Sequence, residues 1–188
     1  MKAPLERALA STVSALDELG LRYAIVGGLA VGAWGVSRST RDADFYVELP
    51  PARHADLERT LRARGFDVPA MAEELTRFGV FRSRSADGVF VDIFDAVGPL
   101  GEELLARRRE ITVFDRTLWV TAPEGLMLLK AFSDRARDFE DLEALAAQER
   151  LDVDRDYVRT WALRLDESIG GNEVSERVRR AFTRSPTR

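Results

Sequence analysis

Residues Tyr23 to Val47, YAIVGGLAVGAWGVSRSTRDADFYV, constrain the fold more than any other stretch of the chain. The run reads as a strand, a Gly27-Gly28 turn, a short helix of small residues from Leu29 to Trp34, a polar loop, and a second strand carrying Asp42 and Asp44. Successive side chains of a strand alternate faces, so carboxylates separated by one residue emerge together and repel unless a cation lies between them. Two readings are open at this point. In one, Asp42 and Asp44 belong to a solvated turn and pair with Arg38 and Arg41; in the other they form a divalent-metal site beside a phosphate-binding turn. The glycine pair would let the backbone approach a ligand closely, and the helix that follows would expose its free N–H groups at the glycine end.

Composition narrows the chemistry. With 188 residues, 45% of them hydrophobic, the chain can bury one core and carry a small appendage. There is no cysteine, which excludes disulfides, thiolate nucleophiles and cysteine-based zinc sites, and a single histidine, His54, excludes a multi-histidine metal centre. His54 lies in a charged stretch that reads as an exposed helix face. No apolar run is long enough to span a bilayer and the first residues lack a signal-peptide core, so the expectation is a cytoplasmic protein with no membrane partner. A formal net charge of -4 argues against wrapping nucleic acid by bulk charge, though local arginines would still meet phosphates.

Apolar spacing predicts an amphipathic helix from Leu5 to Leu19 and a strand from Arg22 to Val26. A second helix is predicted from Ala52 to Arg64, closed by Gly65. From Phe78 onward two extended runs, GVFRSRS and GVFVDIFDA, meet at Ala86-Asp87-Gly88, which is hairpin chemistry. Further expectations are a helix over Gly98 to Arg109, a hairpin from Ile111 to Val120 about Asp115-Arg116, and helices from Pro123 to about Ser133 and from Arg137 to Gln148. The last stretch is helical around Tyr157, Trp161 and Leu165, breaks at Gly170-Gly171, resumes through Phe182, and is expected to fray at Ser-Pro-Thr-Arg. The division expected from this pattern is a domain over 1–150 and a helical C-terminal appendage over 151–188.

Asp92 completes the pattern. It is flanked by Phe90, Val91, Ile93 and Phe94, and an acid among such neighbours needs either a functional cleft or a partner. A glycine-pair turn opening a helix, an Asp-x-Asp pair between β-formers, and a lone acid in a second apolar strand together resemble the nucleotidyltransferase superfamily typified by DNA polymerase β. More narrowly, Arg38-Ser-Thr-Arg-Asp-Ala-Asp44, with Lys130 and Arg137-Asp-Phe-Glu-Asp141, looks like the small bacterial group that includes the AbiEii-type toxins of toxin-antitoxin systems. The likeness runs from Leu21 to Leu145.

That resemblance implies an α/β nucleotidyltransferase fold, with a short mixed sheet and packed helices. It implies transfer of a nucleoside monophosphate from an NTP to a hydroxyl, with magnesium or manganese held by Asp42, Asp44 and Asp92. Asp92 would help activate the acceptor, and Gly27, Gly28, Lys130, Arg38 and Arg41 would contact the nucleotide. Relatives that have serine at the second turn position gain a hydroxyl contact that Gly28 lacks. The acceptor implied first is RNA, such as tRNA, with an antitoxin protein as partner; a protein side chain or an aminoglycoside-like small molecule is also within the family's range. Several residues keep a plainer reading beside the catalytic one. Lys130 closes the apolar run Leu126 to Leu129, where a core lysine would snorkel, and Asp138 and Asp141 stand at a helix start, where acids cap N–H groups. The rival for the whole chain is a catalytically silent module of the same fold that binds a nucleotide or a partner.

Overall fold

The computed structural model describes residues 3–184. Packing divides the chain into two compact units, one holding the chain up to Ala30 together with Arg38–Thr121, the other Val31–Ser37 and the chain from Ala122 on. This grouping is a different partition from the sequence-based division after residue 150.

The first unit opens with α1 (Pro4–Glu18), where proline occupies the first turn and Leu9, Val13 and Leu16 form the buried stripe. Gly20, at φ 64°, ends it in the left-handed region. Then come β1 (Tyr23–Val26), α2 (Gly27–Ala33), whose residues from Val31 on are grouped with the second unit, and β2 (Ala43–Val47), followed by a 3-10 turn (Pro51–Arg53) and α3 (His54–Ala63). Next are α4 (Met71–Phe78), β3 (Phe81–Arg84), β4 (Phe90–Asp95), α5 (Gly98–Ala106), β5 (Arg109–Val113) and β6 (Arg116–Val120). The six strands form one mixed sheet in the order β3-β4-β2-β1-β6-β5. The pairs β3–β4, β1–β2 and β5–β6 are antiparallel, while β2–β4 and β1–β6 are parallel. Phe45, Phe81, Ile25 and Ile93 are fully buried and anchor this sheet in its core.

Local differences from the sequence-based reading have physical causes. Asp42 precedes β2 instead of lying within it, and the helix after β1 starts at Gly27 itself. The second hairpin turns about Phe114 and Asp115, both at positive φ (49° and 57°), as a two-residue mirror-image turn requires. Helix α4, eight residues long, has no counterpart in the sequence-based reading: Met71, Leu75 and Phe78 lie at helical spacing, but only Met71 of its residues is buried.

The second unit contains α6 (Pro123–Phe132), α7 (Ala136–Ala146), α8 (Arg155–Ile169) and α9 (Glu173–Arg184). Asp154 caps α8 by accepting from the Tyr157 N–H at 2.9 Å, and α8 stops at Gly170, φ 73°. Asp166, near the end of α8, caps the next helix by accepting from the N–H groups of Val174 and Ser175, both at 2.9 Å. Arg177 on α9 donates to the carbonyls of Ala131 and Ser133 and so closes the carboxyl end of α6. The fraying expected at Ser185 to Arg188 lies outside the described residues.

Candidate active site

The first unit brings the glycine turn and the acids together through strand register. β1 ends at Val26, whose partner across the antiparallel pair is Asp44. Gly27 follows with φ 63°, and a Cβ placed on it would lie 1.9 Å from Asp44 Oδ2. Glycine is therefore required twice, for the left-handed backbone and for the space that the carboxylate fills. Gly28 is covered by the loop that leads into β2: a Cβ there would meet Thr40 at 3.0 Å and Arg38 Nε at 3.5 Å. Thr40 Oγ1 donates to the Asp42 carbonyl at 3.2 Å, holding the loop as it enters β2. Asp42 and Asp44 are both half-buried, whereas Arg41 is exposed.

Asp92 joins the same row. It is the register partner of Asp44 in the parallel β2–β4 pair and of Arg82 in the antiparallel β3–β4 pair. Side chains at registered positions share a face, so Asp44, Asp92 and Arg82 line up across three adjacent strands. Asp92 is only 6% exposed, and its two oxygens accept from Arg82 Nε at 2.7 Å and Nη2 at 2.6 Å. This is a bidentate fork, the strongest form of an arginine-carboxylate contact. The hydrogen bond to Asp92 raises the Arg82 pKa; burial opposes the shift, and the charges of Asp92, Asp42 and Asp44 add to it. Arg82 is thus the positive charge set among three acids.

In the second unit, Lys130, Asp138 and Asp141 form one buried ion network. Lys130 is 5% exposed; its Nζ donates to Asp138 and lies 2.9 Å from Asp141 Oδ2. Ser133 Oγ and Arg135 Nε also donate to Asp138, at 2.6 and 2.7 Å. Burial alone would raise the Asp138 carboxyl; the hydrogen bonds from Lys130 and Ser133 and the charges of Lys130 and Arg135 outweigh it and hold the group below the ordinary carboxylate range. Helix α7 begins without a side-chain cap, since its N-cap residue Arg135 has no acceptor, and Asp138 and Asp141 turn toward Lys130.

Over residues 5–180 the sequence matches the family described as "Nucleotidyl transferase of unknown function (DUF2204)". The chain belongs to this family. Three solved structures resemble this nucleotidyl transferase at low identity. An antigenic nucleotidyltransferase-like protein from Paracoccidioides brasiliensis is 18% identical with a TM-score of 0.52, covering 93% of this chain and 92% of that one. The lincosamide antibiotic adenylyltransferase LnuA, bound to lincomycin, is 15% identical with a TM-score of 0.54 over 74% of this chain and 95% of that one. ANT(2")-Ia in complex with adenylyl-2"-tobramycin is 19% identical with a TM-score of 0.50 over 94% and 95%. At such identities the likeness establishes the nucleotidyltransferase fold. No curated protein matches the sequence significantly.

The divalent ion that the sequence resemblance implies is tested by the donors. Asp42 and Asp44 offer carboxylate oxygens, the hard ligands magnesium prefers, and the Arg82 guanidinium already stands as a cation among the acids. Asp92, however, has both oxygens committed to Arg82, and among the described residues no group of three or more His, Cys, Asp or Glu side chains is gathered to hold a metal. The donor chemistry fits an ion at Asp42 and Asp44, with Asp92 engaged by its own chain. The pairing of Asp92 with Arg82 is the feature sequence reasoning missed. Its signal was present: reflecting the hairpin about Asp87 sets Arg82 opposite Asp92.

In this nucleotidyl transferase no helix among the described residues is long and apolar enough to cross a membrane.

Proposed function

We propose that this nucleotidyl transferase moves a nucleoside monophosphate from an NTP to a hydroxyl group, with Asp42, Asp44 and Asp92 at the reacting centre. One observation carries the reading: the carboxylate of Asp44 fills the space beside Gly27 while its register partner is Asp92, so turn and acids share one corner of the sheet. The backbone N–H groups at Gly27 and Gly28 would meet the triphosphate, with Arg38 and Arg41 flanking it from the next loop. Lys130 has its charge neutralised by two buried acids, so the phosphate contacts are assigned to these residues instead. A magnesium or manganese ion held by Asp42 and Asp44, and by one oxygen of Asp92 once Arg82 has left it, would offset the charge on the phosphate oxygens. Asp92, freed of Arg82, would accept the proton of the acceptor hydroxyl as its oxygen attacks the α-phosphorus; the bond to the bridging oxygen breaks and pyrophosphate leaves.

The acceptor we favour is a small hydroxyl compound. Two proteins of similar fold carry such ligands, lincomycin and adenylyl-tobramycin, and this chain spans almost their full length. An RNA acceptor is the second reading, and with it the toxin role and antitoxin partner of the AbiEii-type group. It is favoured by Phe90, 38% exposed, with the guanidinium groups of Arg82 and Arg84 at 5.3 and 5.6 Å from its ring, a cationic-aromatic pair on which a base would stack. Incubation with each α-labelled NTP, magnesium or manganese, and pools of aminoglycosides and lincosamides, total tRNA and lysate protein tests the proposal. Label should move to the small-molecule pool and be lost on chelation. Salt-sensitive labelling of tRNA would support the second reading, and no label in any pool would refute the enzymatic role proposed here.

A further inference from the structure

We infer that Arg82 is a built-in counter-ion of the acid centre, exchanged for the divalent ion when the site loads. This deepens the nucleotidyl-transfer reading and rests on it for the identity of the ion. The argument starts from the asymmetry of the pair. Asp92 is buried on a strand flanked on both sides, by β2 and β3, whereas the Arg82 side chain is 55% exposed on β3, the terminal strand of the sheet. An arginine that leaves Asp92 regains water; an Asp92 that loses its partner stays buried and charged.

The fork leaves no room for both cations. Arg82 occupies both oxygens of Asp92, and a divalent ion bound at the same carboxylate would lie within a few ångström of the guanidinium, where like charges repel strongly. Adjacent strands are about 4.8 Å apart, so an ion on Asp44 that reaches across to Asp92 needs a carboxylate oxygen that Arg82 now holds. Three acids without any cation would repel one another, and Arg82 removes that conflict in the unloaded protein. The guanidinium also has a second partner that it keeps on leaving Asp92. The Phe90 ring lies 5.3 Å from the Arg82 guanidinium while the fork is made, and is shared with Arg84, so a cation-π contact stands beside the acids. Arg82 is therefore a positioning residue: it keeps the centre assembled and yields Asp92 as the ion arrives.

The test reads metal binding without nucleotide or activity. Free manganese is titrated by electron paramagnetic resonance in wild type, Arg82→Gln, Arg82→Lys and the Arg82→Gln/Asp92→Asn double variant, with melting temperatures taken in EDTA and in manganese. Arg82→Gln should bind manganese roughly tenfold to a hundredfold more tightly than wild type, as removal of a neighbouring like charge requires. It should melt lower than wild type in EDTA and regain the loss with manganese, and the double variant should lose the gain in affinity. If Arg82→Gln does not fold in EDTA, Arg82→Lys, which keeps the charge without the fork, should show a smaller gain in the same titration. Manganese affinity equal to or weaker than wild type in a folded Arg82 variant would overturn the inference. Exchange observed in a protein that labels no acceptor would uphold this inference and refute the transfer reading, so the two failures are distinguishable.

Discussion

The carboxylate of Asp44 fills the space a side chain on Gly27 would need: a Cβ there would come within 1.9 Å of Asp44 Oδ2. The turn after β1 and the acid on β2 are therefore fixed by one contact, and a change at either residue is felt by the other. Gly27→Ala should destabilise the fold by at least about 1–2 kcal/mol from its left-handed φ alone, with a further cost for displacing Asp44, and should lose nucleotidyl transfer. Gly32→Ala is the control. Apart from its own helix backbone, nothing lies within 4 Å of a Cβ at Gly32 and its φ is not positive, so alanine there should stabilise α2 by about 0.5–1 kcal/mol. Urea midpoints of the two variants separate the cases.

Asp42→Asn and Asp44→Asn should abolish transfer while leaving the melting temperature in EDTA unchanged or raised, because each removes charge from a repelling set. Asp92→Asn should also lose transfer. Its effect on stability should be smaller than that of Arg82→Ala, since the asparagine leaves only an arginine that can reach water, whereas the alanine strands a buried carboxylate. Equal melting temperatures for the last two variants would contradict the asymmetry of the pair.

Lys130→Met keeps the apolar stem but strips two buried acids of their shared cation. The expected cost is about 3–5 kcal/mol, the range seen when one member of a buried pair is removed. A methionine variant with an unchanged urea midpoint and a weakened NTP affinity would return Lys130 to the triphosphate.

The same network sets a pH dependence. The folded Asp138 carboxyl is held below its ordinary value, so its contribution to stability is present above the unfolded carboxylate pKa of about 4 and is lost as pH falls through the lower folded pKa. Wild type should therefore lose stability more steeply than Asp138→Asn as pH is taken from 5 toward about 2. Parallel curves for the two proteins would remove Asp138 as a source of the slope.

Much of the acid centre was legible because it is written at short range. Gly27, Gly28, Asp42 and Asp44 lie within one strand-turn-strand run, and Asp92 is conspicuous among apolar neighbours. The ion pair of Asp92 could be reached only through the hairpin register: with the turn centred on Asp87, Arg82 falls opposite Asp92, but a turn centred one residue away would set a different residue there. The burial of Lys130 was hidden for a related reason. A lysine at the end of an apolar run looks the same whether it snorkels or meets two acids from the next helix, and only the packing of α6 with α7 decides. Helix α4 is only eight residues long, so its three apolar positions, Met71, Leu75 and Phe78, give a short signal, and the grouping of α6 and α7 with α8 and α9 depends on contacts such as Arg177 with the end of α6.

The most direct test of the central claim is transfer of label from an α-labelled NTP, with pyrophosphate release measured in the same tube, for wild type and for Asp44→Asn at matched folded fractions. The account predicts metal-dependent transfer with equal release of pyrophosphate in wild type and neither product in the variant. Transfer by Asp44→Asn at the wild-type rate would contradict it, since the residue that fixes the turn to the acids would then have no part in the chemistry.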